Sequence, residues 1–337
     1  MAFPYSPGLD GTFTQAYFMR FLFFIAGFFA PGSYGKKGIG RFFSERLVRL
    51  GVPTLVYMLF LHKLILLIMS SFNGGASLAD VVSQYPQYIT SLEFLSCSGP
   101  LWFAFALLIF SAIYSLLRLV LKSKAPIKSS KPGLITHSGI LAIIAIVFIC
   151  TFTIRLFQPI GTSILNMQLC YFSQYIILFI LGILAYRTNF LTNLPSSFGI
   201  VWFKLALLLG IPFWLLIFGF GGAVEGNITP FLGGFYWQAA AFALWESFFC
   251  IGVCLGLLVL FREKYNTQGK LISFISDNAF GVYVFHAPLL VGITLCFRWL
   301  AVYPLLKIIL MAVIVLPVSL GTVYLIRKIP YLKKVFS

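Results

Sequence analysis

The sequence predicts an all-α membrane protein, built as a bundle of helices that crosses the bilayer many times. Two features of the composition predict this class. Hydrophobic types make up 60% of the 337 residues and charged types only 9%, against about 25% charged residues in soluble proteins. So little polar surface cannot cover a soluble fold of this length. The same composition excludes a disordered chain, a collagen, a disulfide scaffold and a soluble enzyme.

Apolar runs recur along the whole chain, and a membrane helix needs about 20 such residues. No soluble domain interrupts the series, so residues 1–337 are expected to form a single transmembrane domain. We predict about nine spans, the first of them short, at residues 17–30, 50–72, 100–121, 138–157, 169–186, 200–222, 235–261, 271–295 and 303–326.

Lysines and arginines are distributed unevenly between the gaps that separate these spans. Alternate gaps hold 18 of them against 2 in the remaining gaps. Because cytoplasmic loops carry an excess of lysine and arginine, the rich gaps and the C-terminus are expected in the cytoplasm. Nine spans then place the N-terminus outside. The net charge of +16 is therefore interpreted as a topology signal, and nucleic-acid binding is not expected.

Ionisable side chains inside the spans are candidates for function, because each costs about 3 kcal/mol at mid-bilayer. Glu246, His286 and His62 lie within spans, although each is also compatible with a purely structural role. The six cysteines are interpreted as small packing residues, and no metal site is expected. Four cations inside spans are expected to extend toward the head groups or to be functional: Arg20, Lys63, Lys204 and Lys307.

Several short motifs lie at or near the ends of the predicted spans. They are Phe23–Phe29 (FFIAGFF), Lys37-Gly38, Arg46–Pro53 (RLVRLGVP), Gly99–Phe103 (GPLWF), Leu181–Arg187 (LGILAYR) and Phe280–His286 (FGVYVFH). Their order and spacing over residues 17–337 resemble membrane acyltransferase family 3. Within that family they most resemble the branch that includes the succinyltransferase of periplasmic glucans.

The resemblance implies ten helices with both ends in the cytoplasm of a bacterial inner membrane. It implies an acyl-coenzyme A donor, used as a co-substrate from the cytoplasmic side, and a hydroxyl acceptor on a carbohydrate or another cell-envelope molecule. The family's first helix carries a catalytic histidine, and this chain is expected to begin just after that helix. The count of nine spans leads to the same expectation.

Acyl transfer to a hydroxyl needs a base for the hydroxyl proton and donors for the oxyanion. The Tyr-x-x-His motif of the family matches Tyr283 and His286, so His286 is the candidate base or oxyanion donor. Tyr283 lies on the same helix face. Glu246 is the candidate to orient a histidine. These three residues form the predicted catalytic set, and no bound cofactor is expected.

The donor phosphates need a cationic site at the cytoplasmic end of a helix. The family's Arg-x-x-Arg motif matches Arg46 and Arg49, which are expected to share a face and to fork onto phosphate oxygens. Lys37 and Arg41 add positive potential. The alternative is that this stretch is basic for topology alone.

Two other classes of protein are compatible with the same pattern. A transporter or exporter of a carbohydrate or small molecule would also have nine or ten spans with intramembrane Glu, His and Lys, although no inverted repeat is evident. A truncated, inactive family member acting as a membrane scaffold would tolerate loss of His286 and Glu246. The expected partners in the enzyme hypothesis are acyl-coenzyme A, the acceptor and the lipid bilayer.

Overall fold

The computed structural model describes residues 9–75, 77–121, 136–267 and 269–336. These residues are mostly helical and contain no strand, which confirms the all-α prediction. The α-helices are α1 Leu9–Arg46, α2 Val52–Val56, α3 His62–Asn73, α4 Leu78–Thr90, α5 Trp102–Val120, α6 His137–Phe157, α7 Phe172–Arg187, α8 Phe190–Asn193, α9 Ser196–Phe220, α10 Thr229–Leu232, α11 Trp237–Lys264, α12 Lys270–Cys296, α13 Pro304–Ile326 and α14 Pro330–Phe336. Short 3₁₀ turns cover Glu93–Ser96, Gly99–Leu101 and Leu169–Tyr171, and π-helical turns cover Leu47–Gly51 and Tyr57–Leu61.

Eight helical segments within the described residues are long and apolar enough to cross a membrane. The first, Phe13–Phe72, has 60 residues and a contour length of about 90 Å, roughly three times the hydrocarbon core of a bilayer. It contains two of the nine predicted spans, 17–30 and 50–72. The other seven match one predicted span each: Gly99–Val120, His137–Phe157, Leu169–Arg187, Ser196–Phe220, Trp237–Lys264, Lys270–Cys296 and Pro304–Ile326.

The basic gap at 31–49, between the predicted spans 17–30 and 50–72, is helical. Helix α1 continues to Arg46 and passes into a π-helical turn, although the stretch contains Pro31 and four glycines, which are poor helix formers. The helical geometry is interrupted at Gly38, whose φ of 70° is readily adopted only by glycine. The lysines predicted in the next basic gap lie outside the described residues: Lys122, Lys124, Lys128 and Lys131.

The chain divides into two compact units, each made of separate stretches of sequence. Unit 1 comprises residues 1–38, 118–164 and 168–267, and unit 2 comprises residues 39–117, 165–167 and 268–337. The first boundary falls at Gly38 in α1. The prediction of a single domain stays a prediction.

Small residues bring the helices of unit 1 into close contact. A Cβ atom on Gly182 of α7 would lie 2.1 Å from the carbonyl oxygen of Phe24 in α1. A Cβ atom on Gly252 of α11 would lie 2.7 Å from the carbonyl oxygen of Trp202 in α9. Between membrane helices, van der Waals packing at such small residues takes the place of the hydrophobic effect. The glycines therefore fix the backbones that carry the site described below.

In unit 2, a proline reshapes the helix that follows α1. Pro53 has no N–H, and its ring clashes with the carbonyl four residues earlier in a regular α-helix. The turn Leu47–Gly51 is accordingly wider, and Val52 N–H bonds to the carbonyl of Leu47. A second wide turn, Tyr57–Leu61, follows.

Helix α4 of unit 2 lies outside the eight apolar segments and is capped at its start. Ser77 N–H donates to Asp80 Oδ2 at 2.7 Å, and Asp80 N–H donates to Ser77 Oγ at 3.3 Å. The hydrogen bonds from the Ser77 backbone and hydroxyl lower the pKa of the Asp80 carboxyl. Further along α4, the Tyr88 hydroxyl donates to the Met58 carbonyl at 2.6 Å. This bond ties α4 to the second wide turn.

Candidate functional site

A buried ion-pair cluster lies within unit 1. Glu246 of α11 accepts from Arg20 Nη2 at 3.1 Å through Oε1 and from Arg155 Nη2 at 2.5 Å through Oε2. Glu246 is 1% exposed and both arginines are 0% exposed. An isolated charge at this depth would be far too costly, so the two guanidinium groups account for the burial of the carboxylate.

Arg20 is fixed by hydrogen bonds at all three of its nitrogens. Its Nε donates to Gln174 Oε1, its Nη1 donates to the Gln15 carbonyl, and its Nη2 donates to Glu246. Gln174 Nε2 in turn donates to Thr151 Oγ1 at 2.9 Å. The network holds Arg20 in one orientation from helices α1, α6, α7 and α11.

Arg155 has a different environment. Its guanidinium carbon lies 5.2 Å from the ring centre of Tyr171 and 5.6 Å from that of Phe242, a distance typical of cation–π contacts. Arg20 also lies 5.2 Å from the Tyr171 ring. Among the described residues, Arg155 Nε and Nη1 have no hydrogen-bond partner. Arg155 therefore keeps two donor nitrogens that the cluster does not use.

The cluster corrects two interpretations of the sequence. The expectation that Arg20 extends toward the head groups is wrong, because its side chain is wholly buried. Arg155 is one of the 2 cations counted in the sparsely charged gaps, yet it lies in the last turn of α6, within the predicted span 138–157, and is also wholly buried. Its partner Glu246 stands 91 positions away, and one sequence without an alignment gives no signal for such a pairing.

Unit 2 brings the predicted residues Tyr283 and His286 together on α12. Their ring centres are 6.1 Å apart and nearly parallel. His286 Nδ1 lies 2.9 Å from the carbonyl oxygen of Tyr283 and 3.2 Å from that of Val282. Since a carbonyl oxygen only accepts, Nδ1 must carry the proton. In the neutral ring Nε2 then has the lone pair, and the half-buried imidazole can accept a proton there.

The turn before α5 in unit 2 is held by side chains from three directions. The Tyr283 hydroxyl donates to the Pro100 carbonyl, and Asn166 Nδ2 donates to the Gly99 carbonyl at 2.8 Å. Gly99 has a φ of 50°, and a Cβ atom there would lie 2.5 Å from the Tyr57 hydroxyl. Only glycine fits this position, which accounts for the Gly-Pro pair of the fourth motif.

Three predicted donor-binding arginines lie in unit 2. Arg46 ends α1, with its guanidinium carbon 5.5 Å from the Phe42 ring centre. Arg49 is exposed and lies in the adjoining π-helical turn. Arg41 Nε bonds to Glu45 at 3.0 Å on the exposed side of α1. These cations are exposed or part-buried, so their side chains can contact phosphate oxygens.

The remaining predicted residues lie in unit 1. Lys37 is exposed, next to Gly38 where the unit ends. Glu246 uses both of its oxygens on guanidinium groups, and its predicted part in orienting a histidine stays a prediction. The described residues hold no group of three His, Cys, Asp or Glu side chains placed to bind a metal ion.

Comparison with protein families gives one match. A family model described as an acyltransferase domain, that of acyltransferase family 3, matches residues 1–326. Comparisons with curated proteins and with solved structures gave no match.

Proposed function

The chain belongs to acyltransferase family 3, and from that premise we propose that it transfers an acyl group, such as acetyl or succinyl, from acyl-coenzyme A to a hydroxyl group. The acceptor we propose is a carbohydrate or another molecule of the bacterial cell envelope. The observation that carries the proposal is the family match over residues 1–326, and the eight apolar segments place the acyltransferase in a membrane. We propose the bacterial inner membrane, with the C-terminus in the cytoplasm.

In the proposed reaction, the acceptor hydroxyl oxygen attacks the thioester carbonyl carbon. A C–O bond forms, the C–S bond breaks, and coenzyme A leaves as the thiol. The hydroxyl proton passes to His286 Nε2 and then to the leaving sulfur. Support for this role is the position of Nδ1 against two carbonyl oxygens, which leaves Nε2 as the acceptor, on the side chain best suited to exchange protons near neutral pH.

Tyr283 is proposed to position His286. Its hydroxyl is engaged with the Pro100 carbonyl, so it links α12 to the start of α5 and fixes the helix turn that carries the imidazole. A general base has to lie within hydrogen-bonding reach of its proton. A small shift of this turn would therefore lower the rate of transfer.

The donor's phosphates are proposed to bind Arg46 and Arg49, with Arg41 adding positive potential within unit 2. The predicted contribution of Lys37, which lies in unit 1, stays a prediction. Guanidinium groups match phosphate oxygens in pairs of parallel hydrogen bonds. Exposed Arg49 and part-buried Arg46 leave their side chains accessible to a soluble donor.

Glu246 is proposed to act within unit 1 by holding Arg20 and Arg155 in place. Both carboxylate oxygens already accept hydrogen bonds. This arrangement supports a positioning role for Glu246 rather than a role as a base.

The proposal is tested with the purified full chain in liposomes. Acyl-coenzyme A with a radiolabelled acyl group is added with a glucan or glycolipid acceptor, and free thiol and labelled ester are measured together. We expect thiol and oxygen ester to appear in equal amounts. Movement of the acceptor across the bilayer without consumption of thioester would contradict the proposal and would favour a transporter.

A further inference from the structure

The charges of the buried cluster in unit 1 do not cancel. Arg20 and Arg155 contribute two positive charges and Glu246 one negative charge, all at 1% exposure or less. The other described titratable groups close to Arg20 and Glu246 are thiols and phenols, which are ordinarily uncharged at neutral pH: Cys170, Tyr171, Tyr175, Cys250 and Cys254. The described side chains therefore leave one buried positive charge uncompensated.

The unused hydrogen-bond donors lie on the residue that carries this excess charge. Every side-chain nitrogen of Arg20 donates a hydrogen bond, whereas Arg155 donates only through Nη2, to Glu246. Its Nε and Nη1 are buried without a partner among the described residues. They flank the occupied Nη2 on the two edges of the guanidinium plane, and the rings of Tyr171 and Phe242 lie beside the same group.

Desolvated, unpaired guanidinium donors are costly, and the cost falls when an anion accepts from them. A single negative charge would balance the cluster, and an oxygen pair suits a guanidinium edge. We propose that unit 1 binds one small monoanion of the carboxylate class at Arg155, through Nε or Nη1. This inference does not depend on the proposed acyl transfer.

The test uses the full chain in dodecyl maltoside micelles, which carry no charge. Acetate labelled with ¹³C at the carboxyl carbon is titrated in, and its NMR linewidth is measured at constant ionic strength. We expect saturable broadening with wild-type protein. Absence of saturable broadening above that of empty micelles would overturn the proposal without the use of any variant.

Two substitutions at the cluster should change binding in opposite directions. Arg155→Gln removes the excess charge and the free donors, so acetate affinity should fall at least about tenfold. Glu246→Gln keeps the shape and both arginines but adds one more unit of net positive charge, so affinity should rise about tenfold. Lys204→Gln is the matched control, because it removes one exposed cation from the same unit and should leave affinity unchanged. Equal affinities in all four proteins would overturn the proposal.

Chloride then distinguishes the source of the anion. If equimolar chloride displaces acetate, the site serves a free inorganic anion as well as carboxylates. If excess chloride fails to displace acetate, the site selects the carboxylate of an organic ligand. Both results support a monoanion site, whereas displacement by chloride at the same concentration in wild type and in Arg155→Gln would contradict it.

Discussion

Glu246 is accommodated in unit 1 as one member of an ion-pair cluster. Its two oxygens contact Arg20 and Arg155, and the three side chains are almost wholly removed from solvent. Such a group contributes little net stability compared with an apolar core, because desolvation offsets the attraction. Removal of Glu246 alone is costly all the same, because Arg20 and Arg155 remain buried and charged.

The first prediction concerns the substitution Glu246→Ala. Two like charges would be left without their shared counter-ion, and we expect a loss of about 3–5 kcal/mol in the free energy of unfolding. Thermal unfolding in micelles, followed by circular dichroism, should show a clearly lowered Tm. The control is Glu263→Ala on the same helix, since Glu263 pairs with Arg262 at a half-exposed position. Equal Tm values for the two variants would contradict the prediction that the buried arginines depend on Glu246.

A second prediction concerns Arg46 and Arg49. Replacing both with Ala removes two phosphate contacts, so the KM for acyl-coenzyme A should rise about tenfold or more while the amount of protein in the membrane stays unchanged. Initial rates of thiol release give the KM. Lys204→Ala with Lys270→Ala removes the same charge from two exposed positions and should leave the KM unaltered. An unchanged KM in the arginine variant would show that these residues serve topology alone.

At the residue scale, the sequence predicts some members of the candidate site and gives no signal for others. Glu246, Tyr283 and His286 are predicted because an intramembrane ionisable group or a family motif marks each of them, and their roles stay predictions. Arg155 was missed because it lies within three residues of the end of α6, where a cation is usually solvated. Its role depends on a contact between α6 and α11, which no local pattern encodes.

At the scale of the helices, close packing in unit 1 depends on glycine. Gly182 of α7 faces the backbone of α1, and a Cβ atom added to it would lie only 2.1 Å from the Phe24 carbonyl oxygen. The α1 backbone has to move if a methyl group is added there. The same helix carries Gln174, which bonds to Arg20, so the packing also positions the buried cluster.

The third prediction is that Gly182→Ala destabilises the protein. Overpacking of this kind costs about 1–3 kcal/mol, and the Tm in micelles should fall accordingly. Gly219→Ala in α9 is the matched control, because no atom outside its local helix lies within 4 Å of the added methyl group. That variant should be neutral or slightly more stable, since alanine favours helix more than glycine does. A fall in Tm of equal size in both variants would contradict the close packing of α7 against α1 at Gly182.

The helices were predicted well in the apolar runs and less well between them. Seven spans agree with the structure to within a few residues, because an apolar run of about 20 residues is typical of a membrane-spanning helix. The basic stretch at 31–49 is predicted as a gap between spans, yet it is helical. Lysines and arginines indicate on which side of the membrane a segment lies. Whether that segment is helical depends on its helix propensity and on its packing. The wide turn Leu47–Gly51 follows from Pro53, whereas the second wide turn, Tyr57–Leu61, has no such signal in the sequence.

For the molecule as a whole, the distribution of lysine and arginine predicts its orientation. Because the positive-inside rule is a property of insertion, it can be tested without any activity. Single cysteines at Ser91 and Glu225, introduced into a cysteine-free chain, should react with an impermeant maleimide in intact cells. Cysteines at Asn193 and Thr267 should react only after permeabilisation. All four positions are exposed, so reactivity of all four in intact cells would contradict the predicted topology.

The whole-molecule account combines a family match over residues 1–326 with two separately described units. The family and the membrane location could be predicted from motif order and hydropathy. The division into units could not, because each unit is assembled from distant stretches of the chain. We propose that the chemistry takes place in unit 2, where His286 Nδ1 lies against two carbonyl oxygens and Nε2 is the proposed proton acceptor.

The most direct test of that assignment is the rate of thiol release from acyl-coenzyme A by two histidine variants in liposomes. His286→Gln should be at least about 100-fold slower than wild type, in line with the loss of a general base. His137→Gln removes a histidine of unit 1 that lies against the Phe198 ring, and it should keep the wild-type rate. A His286→Gln protein that releases thiol as fast as the His137→Gln protein would contradict the account.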